Sequence, residues 1–254
     1  MGSTRLDAGY FDEWYADMGG SADRDAVIAG AMGLPAELRD AGVLSWSAIG
    51  EVASALELPA DGVLVDVACG RGGYGIEIAK RAGGRLVGVD FSAVALAVAA
   101  VTGAERLPGR AEFRVGDLAG TGLPDQVADA VMCVDAVQFA APPLAAVVEF
   151  RRLLKPGGRV ALTCWEAVDP ADGRVPARIR AVDLRRDLTT AGFTEIRVAE
   201  MPQWRVAERE LWESAMAADG SDPAVRAMQD EGRRSLETFD AMRRVFATAR
   251  RAAE

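Results

Sequence analysis

Residues 63–75 read VLVDVACGRGGYG, and the architecture of the chain follows from them. The first five are a β-branched run of the type that fills a strand covered on both faces. Behind it the glycines allow a tight turn into a helix extending to about Arg81. Gly70, Gly72 and Gly75 satisfy the spacing G-x-G-x-x-G, with Asp90 twenty residues beyond Gly70. Glycines so placed let the backbone approach a nucleotide closely, and a carboxylate at the end of the next strand can accept hydrogen bonds from ribose hydroxyls. NAD-binding proteins share the pattern, so by itself it specifies an adenosine and no reaction.

On either side of this segment, strands and helices alternate. Strands are expected at 85–90, 111–115, 128–134, 159–164, 194–199 and 243–248. Ser92 caps a helix rich in Ala and Val that ends near Gly103, and a helix after Pro142-Pro143 presents Leu144, Val147, Val148 and Leu154 inward. The LKPGG at 154–158 reads as a helix stop and turn, and residues 184–191 as a further helix. Two helices broken at DGSDP occupy 207–241. Upstream, YFDEWYADM at 10–18 is a short helix ended by Gly19, Gly20 and Ser21; Ser45 caps another, with Trp46, Ile49, Ala53 and Leu56 on one face. Together these predict an α/β fold: a doubly wound, Rossmann-like, seven-stranded, mostly parallel sheet with helices on both faces and a helical lid.

Composition narrows the function classes. Half of the 254 residues are hydrophobic and a quarter are charged, the balance of an ordinary globular protein. A net charge of -9 repels phosphate backbones, which argues against nucleic-acid binding. The longest apolar run, 91–101, falls far short of the roughly 20 residues that cross a bilayer. No apolar segment follows Met1, so no signal peptide is read and a cytoplasmic location is expected. Cys69, Cys133 and Cys164 lack CxxC spacing, so free buried thiols are expected, with neither a disulfide framework nor a metal site. There is no histidine, the side chain that most often serves as general base near neutral pH.

Further motifs stand in order along the chain. DVACGRG at 66–72 places an acidic residue at a strand end before the glycines; GVDFS follows at 88–92, GDL at 116–118, ADAVMCVDAVQFA at 128–140 and FRRLLKPGGRVAL at 150–162. Over residues 60–165 this order resembles the class I S-adenosylmethionine-dependent methyltransferases, with Ala68 departing from the family's first glycine. The resemblance implies S-adenosyl-L-methionine as cofactor, held by the motif residues Asp66, Ala68, Gly70 and Gly72. Asp90 would hold the ribose and Phe91 would lie against the adenine; Asp117 would accept from the adenine amino group and Leu118 would pack on the ring. Asp135 and Gln138 would stand beside the methionine half, with Tyr10, Trp14 and Tyr15 folding over the cofactor. Taken singly, each has a plainer alternative: glycines that tighten a turn, aspartates that cap helices, an aromatic stripe that packs.

The expected organisation is N-terminal helices at 1–58 as a cofactor cover, a binding core at 59–206, a helical lid at 207–241 and a final strand and tail at 242–254. Leu211, Trp212 and Met216 are the lid residues expected to face the acceptor. Methyltransferases of base amines or protein amides carry Asn/Asp-Pro-Pro-aromatic after the fourth strand; here Val134-Asp135-Ala136-Val137 stands there, which favours a small-molecule acceptor. The look is similar to the small-molecule O-, N- and C-methyltransferases of bacterial secondary metabolism, and the atom methylated stays open. Also open are a homodimer, a non-methylating reaction such as cyclisation on the same fold, and a binding module. An NAD-dependent oxidoreductase is a weaker alternative, since neither a Tyr-x-x-x-Lys pair nor a histidine is visible. Without histidine, positioning of the reactants is expected to dominate, with none of Asp135, Glu166 and Tyr15 indispensable as a base. No catalytic residue is assigned.

Overall fold

Along the strand at 63–67 the side chains alternate between two cores: Leu64 joins Ile49, Ile76 and Leu86 on one face, while Val65 and Val67 join Val89, Phe150 and Leu188 on the other. Both faces of the sheet are therefore covered. The computed structural model describes residues 8–18, 20–35, 38 and 42–253. Helices α1 (Ala8–Met18), α2 (Ala22–Met32) and α3 (Trp46–Leu56) precede β1 (Val63–Val67), which leads into α4 (Gly73–Ala82). Then come β2 (Arg85–Asp90), α5 (Ala93–Arg106), β3 (Ala111–Val115), β4 (Ala128–Val134), α6 (Pro143–Leu153), β5 (Leu154–Ala167), α7 (Ala177–Arg180), α8 (Leu184–Thr190) and β6 (Thr194–Glu200). Helices α9 (Pro202–Ala217) and α10 (Pro223–Glu237) are followed by β7 (Met242–Arg250).

The seven strands lie in the order β3-β2-β1-β4-β5-β7-β6. The first five are mutually parallel, and β7 runs antiparallel between β5 and β6. The order reverses between β1 and β4, so the crevice beyond their carboxyl ends is where a ligand of an open α/β sheet binds.

Several local readings hold, with instructive exceptions. Ser45 and Ser92 cap α3 and α5 through their side chains as expected, and Asp222, not singled out in the sequence, does the same for α10. Trp46 is 37% exposed, its ring stacked under the Arg81 guanidinium, and the buried face of α3 is Ala48, Ile49, Val52 and Leu56. Val148 also points outward, because Ala146, Val147, Phe150 and Leu153 form the buried stripe of α6. LKPGG is no free turn. Leu154 already pairs with Ala128, and the register slips before Arg159 pairs with Ala130, so the segment is an irregularity inside β5 with Gly157 at φ +80°. Helix α9 starts at Pro202, ahead of Ala207, because proline suits a first turn whose amides need no partner. Helix α2 was not foreseen. The readings on residues 1–7 and Gly19 lie outside the described residues.

One buried carboxylate fastens the loop between β3 and β4 to α6. Glu149 accepts from the backbone N–H of Thr121 at 2.9 Å and from its hydroxyl at 2.6 Å, and Arg152 bonds both carboxylate oxygens. Burial opposes its ionisation, but the Arg152 and Thr121 bonds outweigh burial and bring the carboxyl down to about 2. The sign follows: this stabilisation is full above the ordinary carboxylate range and is lost as pH falls toward 2. Glu149→Gln is expected to cost about 2–3 kcal/mol at pH 7 and much less near pH 3. Urea unfolding of both proteins at the two pH values checks this; an equal difference at both would show that the charge of Glu149 is not what stabilises the loop.

Candidate functional site

Beyond β1 the chain turns through Ala68 at φ +60° and Gly70 at φ +53° and enters α4 behind Gly72 at φ +77°. Ala68 holds a left-handed conformation that a glycine would adopt freely, at a cost on the order of 1 kcal/mol. A Cβ on Gly70 would sit 2.6 Å from the Tyr15 hydroxyl, and one on Gly75 would sit 2.6 Å from Asp66 Oδ2. The two glycines thus let α1 close over the turn and α4 approach β1. No side chain caps α4 and its first turn carries no acidic residue, leaving that amide-rich end electropositive.

Asp90, 4% exposed at the end of β2, accepts from Gly70 N at 2.8 Å and from Ser92 N at 2.9 Å, one bond on each oxygen. Burial raises its carboxyl above the ordinary value, against the backbone bonds from Ser92, Gly70 and Phe91. A carboxylate offers about four acceptor positions, so roughly two remain for a ligand. Ser92 continues the chain of contacts: its hydroxyl donates to Asp12 Oδ1 at 2.5 Å, and Val94 N donates to the same oxygen at 3.3 Å. Asp12 thereby fastens α1 to the start of α5. Phe11 on α1 meets the Phe91 and Phe139 rings at 5.3 and 5.5 Å between centroids.

Asp117 sits in a tight turn closed by reciprocal backbone bonds with Gly120, and its Oδ1 accepts from Ala119 N. At the end of β4, Asp135 holds φ +56°; Oδ1 accepts from the Thr163 hydroxyl at 2.7 Å and Oδ2 from Arg244 Nη2 at 2.5 Å. Gln138 Nε2 donates to the Asp135 carbonyl, while its Oε1 is buried without a partner.

These residues line one cavity of about 1240 Å³, more than the roughly 300–1,000 Å³ that holds a single drug-sized ligand. Nine of the ten expected cofactor residues face it: Tyr15, Asp66, Ala68, Gly70, Asp90, Phe91, Asp117, Leu118 and Asp135. Gly72 does not. It stands behind the turn, where a Cβ would meet Phe113 at 3.0 Å and Ala99 at 3.2 Å, so its contribution is to the packing of α4 on α5 and β3. Tyr10, Trp14 and Gln138 also line the cavity. Glu166, expected among the candidate bases, is elsewhere: it accepts from Leu184 N and pairs with Arg243, beside a separate recess. Leu211 and Trp212 reach the cavity, whereas Met216 is 39% exposed and does not line it.

Beyond Leu211 and Trp212, the remaining wall of the cavity was not read from the sequence. It comes from α7, α9, α10 and β7 together with Trp165. Glu208 and Arg244 are both buried there, with Arg244 Nε 3.7 Å from Glu208 Oε2 and its guanidinium 5.6 Å from the Trp165 ring centre. A signal for Glu208 existed: Trp204, Glu208, Leu211, Trp212 and Ala215 form one buried stripe at helical spacing, with a lone carboxylate inside it. Arg244 shares its face of β7 with Met242 and Phe246 by simple alternation. All three cysteines are free and buried, and among the described residues no cluster of metal-ligating side chains and no helix long and apolar enough to cross a membrane occurs.

Comparison with known proteins finds a family resembled by part of the chain. Residues 65–162 match the family described as Methyltransferase domain. Nocamycin O-methyltransferase of Saccharothrix syringae is 39% identical over 110 residues, 41% of this chain and 39% of that protein. The chain spans less than half the length of the curated relatives it matches. Among solved structures, Haemonchus contortus phosphoethanolamine N-methyltransferase 2 in complex with S-adenosyl-L-methionine superposes with a TM-score of 0.74 at 19% identity, over 95% of this chain and 60% of that one. The [4+2]-cyclase SpnF superposes with a TM-score of 0.70 at 24% identity, over 97% of both chains. At these identities the structures establish the shared fold.

The Asp12 clasp makes a testable demand on α1. Asp12→Ala removes both bonds to the start of α5, so amide exchange across 8–18 should quicken at least tenfold while β1 and β4 stay protected. Hydrogen exchange read by mass spectrometry checks this. Unchanged protection of α1 would mean that its aromatic contacts alone hold it.

Proposed function

From the match of residues 65–162 to the methyltransferase domain family, we propose that the protein moves a methyl group from S-adenosyl-L-methionine to an O, N or C atom of a small-molecule acceptor. The observation that carries this is a single cavity of about 1240 Å³, larger than one drug-sized ligand needs. Its lining includes Gly70, Asp90, Asp117 and the α1 aromatics together with Glu208, Leu211, Trp212 and Phe239, which we assign to the cofactor and to the acceptor respectively. An acceptor from natural-product metabolism fits the apolar part of that lining and the likeness to nocamycin O-methyltransferase. On the same reading 1–58 covers the cofactor and 207–241 covers the acceptor.

The residues present fit the cofactor. Asp90 has acceptor positions left for ribose hydroxyls, Gly70 lacks the Cβ that would fill the cradle beneath Tyr15, and Asp117 keeps Oδ2 for an adenine amino group. When bound, S-adenosyl-L-methionine supplies a sulfonium methyl carbon open to in-line displacement. The protein's part is then largely to hold two partners in line, which can supply roughly 7–11 kcal/mol of the barrier. Phe11, Trp14 and Tyr15 exclude water from above, and both oxygens of Asp135 are engaged, one by Arg244 and one by Thr163. Dinucleotide enzymes have the strand order 3-2-1-4-5-6, whereas this sheet inserts an antiparallel β7, which weighs against NAD. The likeness to SpnF keeps a cyclisation as the second reading.

Calorimetry with S-adenosylmethionine, S-adenosylhomocysteine and NAD tests the cofactor, and mass spectrometry for a gain of one methyl on candidate acceptors tests the reaction. Saturable binding of the two adenosyl ligands and none of NAD is expected. Asp90→Asn should weaken that binding at least tenfold, since charged hydrogen bonds contribute about 1.5–3 kcal/mol each. Binding of NAD alone would overturn the reading; a product of unchanged mass formed from an acceptor would favour cyclisation.

A further inference from the structure

Glu208 differs from the aspartates at the strand ends of the cavity. It is 4% exposed in the middle of α9, and its Oε2 has no hydrogen-bond partner among the described residues. Asp90, Asp117 and Asp135 all accept bonds from backbone or side-chain donors. Its cationic neighbour is also unsatisfied: Arg244 Nε and Nη1 are buried donors with no hydrogen-bond acceptor among the described residues. A site that holds an unpartnered carboxylate oxygen beside unpartnered guanidinium donors suits a ligand that both gives a proton and accepts hydrogen bonds at one atom.

Resting on the methyl-transfer reading above, we propose that Glu208 is the proton acceptor of the reaction and that the acceptor substrate presents a weakly acidic hydroxyl on an apolar scaffold. Arg244 decides between oxygen and nitrogen. A guanidinium 3.7 Å from Glu208 repels an ammonium and stabilises an oxygen that is losing its proton. Leu211, Trp212, Met228 and Phe239 supply the apolar wall for the scaffold. The step balances: the acceptor oxygen forms the new O–C bond with one lone pair while its O–H bond breaks. The proton passes to Glu208, and the electron pair of the cleaved C–S bond stays on sulfur. A carboxylate and a sulfonium at the start become a carboxylic acid and a thioether, so the closed site holds no separated charge from this pair at the end.

The electrostatics agree with the geometry. Burial pushes the Glu208 carboxyl up to about 7, with the Asp135 charge adding to the rise and Arg244 and the flanking indoles opposing it. Other charged groups facing the chamber are Arg24 on α2, Arg178 on α7, and Asp230, Glu231 and Arg234 on α10; burial raises Glu231 as well, against the three arginines. With no histidine in the chain, few other groups titrate near neutral pH. This gives the site a dedicated base, where the sequence alone pointed to positioning without one.

The test uses the full chain saturated with S-adenosylhomocysteine, with 2-naphthol as the hydroxyl probe and 2-methoxynaphthalene as its blocked counterpart. Tryptophan fluorescence from Trp165 and Trp212 should show a transition near pH 7 that Glu208→Gln abolishes. The dissociation constant of 2-naphthol should tighten about tenfold from pH 6 to 8 in the wild type and stay flat in Glu208→Gln. That of 2-methoxynaphthalene should be flat in both. A flat profile for 2-naphthol in the wild type, its survival in Glu208→Gln, or no binding of 2-naphthol at all would each overturn the proposal. Calorimetric binding of S-adenosylmethionine should be unchanged in Glu208→Gln; its absence from the wild type would sink the methyl-transfer reading itself.

Discussion

The carboxylate of Asp90 joins parts of the chain that would otherwise move independently. One oxygen holds the amide of Gly70 in the turn after β1, and the other holds the amide of Ser92 at the head of α5. Ser92 in turn holds Asp12 and with it the whole of α1. The crevice between two strand ends becomes a floor, a wall and a roof through three consecutive contacts. Burial makes this carboxylate costly to ionise, and its backbone bonds are what keep it in place.

The two halves of the cavity obey different rules. The half around Asp90 is made of backbone turns, whose geometry is set by glycines and strand ends, with acceptors placed by main-chain bonds. The part around Glu208 is made of side chains from late elements, and Glu208 Oε2 and Arg244 Nε and Nη1 have no hydrogen-bond partner among the described residues. Arg244 connects them, giving one nitrogen to Asp135 and standing beside Glu208 with the others. Its cation is wholly buried, so the two carboxylates are each other's reason for tolerating it.

What the sequence revealed follows the same division. Local patterns carry the first half: a β-branched run, glycines at fixed offsets, an aspartate at a strand end. Accordingly nine of the ten residues named from those patterns face one cavity. Gly72 matched the motif yet serves packing, because a spacing cannot say which side of a turn faces the ligand. The second half depends on contacts between residues far apart, such as Asp135 with Arg244, and no local period announces them. Trp46 and Val148 failed for a related reason: a helical stripe is about 100° wide, and a residue at its rim is decided by the neighbouring element. Helix α2 has too few apolar residues in period to stand out, and is held by Ile28 and Met32 against partners remote in the chain.

The position of β7 has a consequence for biosynthesis. It lies between β5 and β6, yet the ribosome delivers it after both. Before it arrives, each neighbour presents an open row of backbone donors and acceptors, and Asp135 and Glu208 have no cation between them. A nascent chain can therefore complete the glycine turn and its Asp90 support early, while the deep chamber closes only when the last strand slides home. The interval between those events is when the chain is most exposed to pairing with another copy of itself, and a chaperone that shields the β5 edge would act there.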